Sequence, residues 1–224
     1  PGMKTVGRRL NTFLGYVTNG LYENYTDVEE SPTSTLGNIA ISPGDIKYVD
    51  QPDANGNYDG RITSDDRVEI GDPWIPEIVY GFGPSMRWKN WDFSFFFQGQ
   101  TNVSLIMENF EPFGERSARG VLAWIADDYW SPDYPNVNAK HPRLTRLTNN
   151  HNMQVSTYWL RDASFLKLKN VELGYSYKKA RFYISGSNLL TISPFKHWDP
   201  EVGTGAGMQY PTQRIFNLGI QMSF

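Results

Sequence analysis

The sequence predicts an all-β fold built from antiparallel strands. Three observations predict it. Apolar side chains alternate with small or polar ones in several segments, pairs of these segments are separated by links of two or three residues, and much longer stretches connect the other segments. Successive side chains of a strand point to opposite faces, so each segment has one apolar face. Alternating segments joined by very short links are typical of antiparallel hairpins.

The first predicted hairpin covers residues 78–100. Its two segments, "YGFGPSMRW" and "WDFSFFFQGQ", are separated by Lys89-Asn90. Each places aromatic or apolar side chains on one face: Tyr80, Phe82, Met86, Trp88, Phe93, Phe95 and Phe97. The second predicted hairpin covers residues 163–190, with the short link Lys178-Lys179-Ala180. Its apolar face contains Val171, Leu173, Tyr175, Tyr177, Phe182 and Ile184.

The last predicted strand, residues 214–224, alternates up to its final residue. One face is wholly apolar and contains Phe216, Leu218, Ile220, Met222 and Phe224. The span from Phe216 to Phe224 is close to the roughly 9–11 residues that a tilted strand needs to cross a bilayer. A strand of a soluble sandwich would alternate in the same way, so the pattern of this segment alone leaves both folds open.

The spacing of the links favours a membrane barrel. The links near Lys89 and Lys179 are short, whereas residues 101–162 and 192–213 form long connections, which are uncommon inside compact soluble domains. Short turns on one side and long loops on the other are typical of outer-membrane barrels. Trp88, Trp91 and Tyr175 lie beside the short links, where an interfacial aromatic girdle is expected. A soluble β-sandwich with long loops is the alternative.

Composition excludes several classes of protein. The 21 basic and 24 acidic side chains give a net charge of −3, which argues against a nucleic-acid partner. Cysteine is absent, which excludes disulfides and thiolate metal sites. No apolar run reaches the ~18 residues of a membrane-spanning helix. The first residues lack the apolar core of a signal peptide, so we expect a C-terminal piece of a longer protein.

Residues 45–75 contain a predicted loop rich in Asn and Asp, with a spacing that resembles calcium-binding loops. In the register D-x-[DN]-x-[DN]-G, Asn55 is first, Asn57 third, Asp59 fifth, Gly60 sixth and Asp66 twelfth, and Arg61 contributes its carbonyl at position seven. Gly60 would make the sharp turn and Ile62 would anchor the loop. The loop is thus predicted either to hold a structural Ca²⁺ or to be a metal-free turn closed by side-chain hydrogen bonds.

The sequence gives no indication of an enzyme. The three histidines, His141, His151 and His197, are scattered without metal-ligand spacing, and no serine lies in a nucleophile-elbow sequence. The adjacent acids Asp127 and Asp128 are better explained as a solvated pair than as paired catalytic carboxylates. We therefore expect neither catalysis nor a cofactor, apart from calcium.

A set of motifs in order along the chain resembles the C-terminal part of SusC-like TonB-dependent transporters (the SusC/RagA family). The motifs are "GYVTNGLY", "PGDIKYVD", the Asn/Asp loop, "RVEIGDPWIPEIVYGF", "WDFSFFFQG", "YWLRDASFLKLKNVELGY", "ISGSNLLT", "DPE" and the last strand. They cover most of residues 1–224. The resemblance implies the last strands of a 22-stranded transmembrane β-barrel, with residues 45–75, 101–162 and 192–213 as extracellular loops. It also implies that the plug and the N-terminal part of the barrel are absent from this chain.

The resemblance also implies a function and partners. Such multi-pass proteins of the bacterial outer membrane import glycans, oligosaccharides or peptides with energy from TonB, which acts through the absent N-terminal region. A SusD-like surface lipoprotein closes over the barrel as a lid. Four aromatic residues in the outward loops are implied to contact ligand or lid: Trp124, Tyr129, Trp130 and Trp198.

The apolar residues of the last strand resemble the signal that the barrel-assembly machinery reads, and the lipid bilayer would contact the same face. The alternative function is that of a soluble, calcium-stiffened β-sandwich domain that binds carbohydrate. The two differ in one structural expectation. Leu218, Ile220, Leu173 and Phe95 would be enclosed between stacked sheets in a sandwich and would face lipid in a barrel.

Overall fold

A computed structural model describes residues 7–108, 122–205, 207 and 209–223. The chain folds as two units. Unit 1 comprises Pro1–Gly71 and Ile106–Leu160, and unit 2 comprises Asp72–Leu105 and Arg161–Phe224. Each unit is therefore assembled from two separate stretches of sequence.

Unit 1 is built on short strands: β1 (Phe13–Gly15), β2 (Thr18–Leu21), β3 (Thr33–Ser34), β4 (Ile46–Tyr48), β5 (Arg61–Ile62) and β6 (Val68–Ile70). They form three two-stranded sheets, in which β1 pairs with β6, β2 with β4, and β3 with β5. The β3–β5 pair is parallel and the other two are antiparallel. Large aromatic and aliphatic side chains fill the core: Tyr16, Leu21, Tyr22, Ile46, Tyr48, Ile62, Ile70, Ile125, Trp130 and Trp159.

Helices are few and short. Helix α1 (Tyr25–Glu30) begins after Asn24, whose side chain accepts a hydrogen bond from the Asp27 amide at 2.9 Å, a typical N-cap. Helix α2 spans Ala123–Ala126, and single 3₁₀ turns span Ser64–Asp66 and Pro200–Val202. Within the described ranges, no helix has the length and apolar character needed to span a membrane.

Unit 2 contains the long strands. They are β7 (Ile78–Phe82), β8 (Ser85–Trp88), β9 (Trp91–Thr101), β12 (Phe165–Tyr177), β13 (Ala180–Ile192) and β14 (Ile215–Met222). Two shorter strands, β10 (Ser104–Ile106) and β11 (Leu160–Asp162), follow β9 in the chain and pair with each other in a separate two-stranded sheet. The six long strands form one antiparallel sheet in the order β14-β13-β12-β9-β7, with β8 also paired to β9. Strands β7 and β8 lie end to end along β9 and are interrupted at Gly83-Pro84, which suits an edge position because proline has no amide hydrogen.

Two-residue links close both hairpins of the sheet. Lys89 and Lys178 begin these links with positive φ angles of 54° and 53°. A positive φ in such links matches the right-handed twist of the strands they join. The adjacent strands pair up to the links, with Trp88 opposite Trp91 and Tyr177 opposite Ala180.

Strand β12 contains an irregularity at Lys169. On β9, Phe97 pairs with Leu168 and Phe96 with Asn170, so Lys169 is an extra residue with no partner. The extra residue of a bulge shifts the alternation of the strand by one position. Leu168 and Val171, which simple alternation would place on opposite faces, therefore lie on the same face of the sheet.

The all-β prediction is confirmed, because strands dominate both units and helix is almost absent. Among the described residues the large sheet is open, with β14 at one edge and β7 and β8 at the other. The 22-stranded barrel and the domain boundaries stay predictions.

Candidate functional site

The large sheet of unit 2 has one apolar face. Directly paired residues share a face of a sheet, and the register aligns Phe93 with Leu173, Leu173 with Ile184, and Ile184 with Leu218. A neighbouring row aligns Trp91, Tyr175, Phe182 and Ile220. The apolar residues predicted from alternation in separate segments are thus brought together into continuous rows across the strands.

This apolar face is exposed. Leu218 is 84% exposed, and Ile220, Ile184 and Leu173 are exposed as well, while Phe95 is half-buried. None of these side chains is enclosed as a sandwich core would require. Contiguous apolar surface of this kind marks an interaction with a membrane or another apolar partner.

Aromatic side chains are concentrated where the two-residue links lie. Trp91 and Tyr175 contact each other with ring centroids 4.7 Å apart. The Lys89 Nζ lies 4.9 Å from the Trp88 ring, and the Lys178 Nζ lies 5.4 Å from the Tyr177 ring. This end of the sheet therefore combines aromatic rings with cationic groups, as is typical of a boundary between an apolar and an aqueous phase.

The opposite face of the sheet is polar and contains an ion cluster. Arg181 on β13 binds Asp92 on β9 through Nε at 3.0 Å and through Nη2, and it binds Glu172 on β12 at 2.5 Å. The cluster joins three strands. The same face carries an open depression of about 380 Å³ whose lining includes Ser85, Ser94, Ser185, Ser187, Asn170 and Phe96.

A second ion cluster ties the segment after β13 to the polar face. The Lys167 side chain is almost fully buried, and its Nζ donates to both carboxylate oxygens of Asp199, at 2.8 and 2.7 Å, and to Glu201. Lys169 donates to the other oxygen of Glu201 at 2.5 Å. Burial raises the pKa of Asp199 and of Glu201, but the lysine hydrogen bonds outweigh it, and both pKa values lie below their usual range.

Unit 1 has a buried polar centre around Asp45. Arg143 donates to its two carboxylate oxygens at 2.7 and 3.0 Å, and the side-chain amides of Asn149 and Asn152 each donate to Oδ1 at 2.9 Å. The Ser42 amide donates to Oδ2. Because every one of these donors faces a single buried carboxylate, Asp45 holds residues from both stretches of unit 1 in place.

The five residues predicted to bind calcium lie in a loop that the structure closes with its own hydrogen bonds. The Asp66 carboxylate accepts from the amides of Gln51 and Thr63, and Asp59 accepts from the amide of Arg61. The backbone amides of Asn55 and Asn57 both donate to the Asp53 carboxylate, and the two asparagines lie in an exposed turn. Calcium binding by Asn55, Asn57, Asp59, Arg61 and Asp66 stays a prediction.

The four aromatic residues predicted to contact ligand or lid lie in different surroundings. Trp130 is only 6% exposed and packs over Gly44, whose positive φ of 85° and lack of a side chain make room for the indole. Trp124 and Tyr129 are half-buried in unit 1. Trp198 is half-buried in unit 2 and packs edge-on against Phe195. Ligand contact stays a prediction, and Trp130 as placed is a core residue.

The predicted assembly signal lies on β14. Phe216, Leu218, Ile220 and Met222 are all exposed on the apolar face. Phe224 lies outside the described residues.

The sequence analysis did not identify the ion-paired residues Lys167, Arg181 and Asp45. The only available signal was a charged residue inside an alternating strand, as at Lys167 and Arg181.

Comparison with known proteins gives one consistent result. No family model matches the chain. The TonB-dependent receptor P3 of Formosa agariphila is 28% identical over an alignment of 241 positions, which covers 97% of this chain and 22% of that receptor. The TonB-dependent receptor SusC of Bacteroides thetaiotaomicron is 27% identical over 223 residues, which cover 94% of this chain and 20% of that receptor.

The fold comparison agrees. A solved structure of the RagAB peptide transporter superposes with a TM-score of 0.68 at 25% identity and covers 95% of this chain and 23% of that chain. The chain therefore spans about a fifth of the length of the relatives it matches. These relatives are named as receptors and a transporter, not as enzymes. Over nearly its whole length, the chain is homologous to TonB-dependent receptors, SusC among them.

Proposed function

We propose that this chain is part of a TonB-dependent transporter of the bacterial outer membrane and that its large sheet is a segment of the transmembrane barrel wall. The observation that carries the proposal is the continuous, exposed apolar face of six paired strands, opposite a polar face. A soluble monomer rarely exposes so large an apolar surface, whereas a barrel wall requires one toward lipid. The family resemblance implies 22 strands in the complete barrel.

Strand lengths and aromatic positions support this orientation. Strands β12 and β13 have 13 residues each, more than the roughly 9–11 residues that cross a bilayer. The two-residue links carry the aromatic and lysine side chains expected at a membrane interface. Short turns lie on the periplasmic side of outer-membrane barrels, so we place these links there and the long connections outside the cell.

The polar face would then line the interior of the barrel. It offers hydroxyl and amide groups, the Asp92–Arg181–Glu172 cluster and the exposed ring of Phe96, which together suit a polar oligomer. We propose that the cargo is a glycan, an oligosaccharide or a peptide. The similarity to SusC and to the RagAB peptide transporter is compatible with both chemistries.

The proposal includes partners that the complete protein would need. A SusD-like lipoprotein would close over the outer mouth, TonB would act through the N-terminal region, and the barrel-assembly machinery would fold the strands into the bilayer. Co-purification of a lipoprotein with the full-length protein, and cargo uptake that stops when the membrane is de-energised, are the expected results. Uptake that continues without energy would indicate a passive pore instead.

The membrane orientation is tested by a matched pair of substitutions in the full-length protein. Leu218→Arg places a charge on the apolar face, and Asn217→Arg places the same charge on the neighbouring, opposite face. An arginine facing lipid near mid-bilayer costs about 2–4 kcal/mol, whereas a lumen-facing one does not. We expect Leu218→Arg to lower the amount of folded protein in the outer membrane and Asn217→Arg to leave it nearly unchanged. Equal amounts of both variants would contradict the proposal.

A further inference from the structure

Asp50 is a buried acidic residue that the calcium-loop register does not include. It follows β4 and is 7% exposed. Its Oδ2 accepts a hydrogen bond from the Gly60 amide at 2.8 Å, but its Oδ1 is buried and has no hydrogen-bond partner among the described residues. Buried polar atoms are nearly always paired, and a charged one without a partner destabilises the fold. The free oxygen therefore indicates a missing partner.

The groups that act on Asp50 are mainly acidic. Burial raises its pKa and the Gly60 amide lowers it. Asp66 raises it further, through its charge and through a close side-chain contact between the two carboxyl groups, and so does the charge of Asp59. Asp66 is buried as well, and each of its oxygens accepts only neutral donors, namely the amides of Gln51 and Thr63 and the Thr63 hydroxyl. Like charges oppose each other's ionisation in a buried site. A positive ion between these carboxylates would remove that repulsion.

The loop between Asp50 and Asp66 has the turn that a cation loop needs, although its first ligand differs from the sequence register. Gly60 has a positive φ of 72°, as position six requires, and Ile62 is fully buried, as position eight requires. Residues 53–57 instead form a separate exposed turn, closed by the Asp53 amide donating to the Asn57 carbonyl at 2.9 Å. Asn55 therefore lies in this exposed turn, whereas the buried Asp50 accepts a hydrogen bond from the Gly60 amide.

We propose that unit 1 binds a divalent cation of the calcium type through Asp50 and Asp66, with Asp50 replacing Asn55 as the first ligand. The described residues contain no group of three acidic or histidine side chains suited to a metal. Main-chain carbonyls and water therefore complete the coordination, and calcium accepts both. The site has a low ligand charge, which gives moderate affinity. It goes beyond the proposed transport function and does not depend on it.

The test is calcium titration of the full-length protein in detergent after treatment with a chelator. Isothermal calorimetry is expected to show one site in the wild type. Asp50→Asn keeps the shape of the side chain but removes one charge, and we expect it to weaken the affinity by about tenfold or more, since charge count sets the affinity of such loops. Asn55→Ser is the matched control and is expected to change the affinity by less than about twofold.

Melting temperature separates loss of binding from loss of folding. Without calcium, Asp50→Asn is expected to melt at the wild-type temperature or above it, because one of two opposed charges is gone. With calcium, only the wild type and Asn55→Ser are expected to gain stability. The absence of binding in the wild type at millimolar calcium would overturn the proposal. So would binding that survives Asp50→Asn but is lost in Asn55→Ser.

Discussion

Ile46 in unit 1 is fully buried, whereas Ile184 in the large sheet of unit 2 is 51% exposed, and the same contrast holds for Tyr48 and Tyr177. Unit 1 encloses its apolar side chains, and around Asp45 it pairs a buried carboxylate with Arg143 and with side-chain amides. The large sheet presents its apolar side chains outward and keeps its ion clusters on the other face. The same residue types thus lie in an enclosed core in one unit and on an exposed face in the other.

The contrast teaches that burial is informative only when the surrounding medium is known. In water, the exposed rows on β13 and β14 would be an aggregation hazard. In lipid, the same rows are the favourable surface and the polar face is the one that must be shielded from the hydrocarbon. Matched substitutions in the two units would show whether they differ in this way.

The largest effect is expected at the buried ion pair of unit 1. Arg143→Ala leaves the Asp45 carboxylate buried with only neutral donors, and breaking a buried pair in this way costs about 3–5 kcal/mol. Local hydrogen exchange of the β4 amides would measure the loss. Arg146, which is exposed, is the control, and Arg146→Ala is expected to change stability by less than about 0.5 kcal/mol. Equal effects of the two substitutions would show that the pair does not hold unit 1 together.

A matched pair of isoleucines tests the contrast directly. Ile46→Ala removes buried methyl groups and should destabilise unit 1 by about 2–5 kcal/mol. Ile184→Ala removes methyl groups that face detergent or lipid, so we expect a loss below about 1 kcal/mol. Hydrogen exchange near each position would give both values. A large loss at Ile184 would mean that protein, and not lipid, covers the sheet.

A smaller effect is expected at the Lys167 cluster. Lys167→Met removes three charge-assisted hydrogen bonds and should release the segment around Asp199, at a local cost of about 1.5–3 kcal/mol. Trp198 fluorescence can follow the release.

Acid should have the same effect as Lys167→Met. The pKa values of Asp199 and Glu201 are lowered in the folded state, so their contribution is complete above the ordinary carboxyl value of about 4. It is lost as the pH falls through the lowered values. In Lys167→Met the fluorescence should no longer respond to pH in this range, and a response unchanged by the substitution would argue against the cluster as its source.

The smallest effect is expected from His151 in unit 1. Burial lowers its pKa. The hydrogen bond between Nε2 and the Ile46 carbonyl oxygen, at 2.7 Å, and then the charge of Asp45 partly offset this effect, and the charge of Arg143 lowers the pKa further. The other ring nitrogen lies 3.1 Å from Ser34 Oγ. A histidine with a lowered folded-state pKa contributes its full stability above about pH 6.5 and loses it below. Unit 1 should therefore lose stability as the pH falls from 7.5 to 5.5. The His151→Gln variant should no longer show this loss of stability. The control variant His197→Gln, at an exposed histidine, should still show it.

The faces of the large sheet could be predicted from the sequence because strand alternation is local. Phe216, Leu218, Ile220 and Met222 follow a period of two, and neighbouring strands repeat it. The register between strands could not be predicted, since the alignment of Leu173 with Ile184 depends on the two-residue link at Lys178, and the alignment of Leu168 with Phe97 depends on the extra residue Lys169.

Unit 1 could not be predicted because its contacts join distant segments. Its strands have two to four residues, too few for a periodic pattern, and its buried polar centre joins Asp45 to Arg143 across about a hundred residues of sequence. Trp130 looked like a loop aromatic because the sequence does not show that Gly44 lies beneath it. Asp50 lay outside the register because the turn at residues 53–57 is closed on itself in space, which spacing along the chain cannot reveal.

The extra residue Lys169 shifts the two-residue alternation of β12 by one position, so that apolar side chains on both sides of it share one face of the sheet. The apolar residues before Lys169 are even-numbered, Leu166 and Leu168, and those after it are odd-numbered, Val171 and Leu173. Deleting that single residue would reverse the faces of half of the strand: Val171 and Leu173 would move to the polar face, and Asn170 and Glu172 would move to the apolar face. Length changes in such a strand are therefore tolerable only in steps of two.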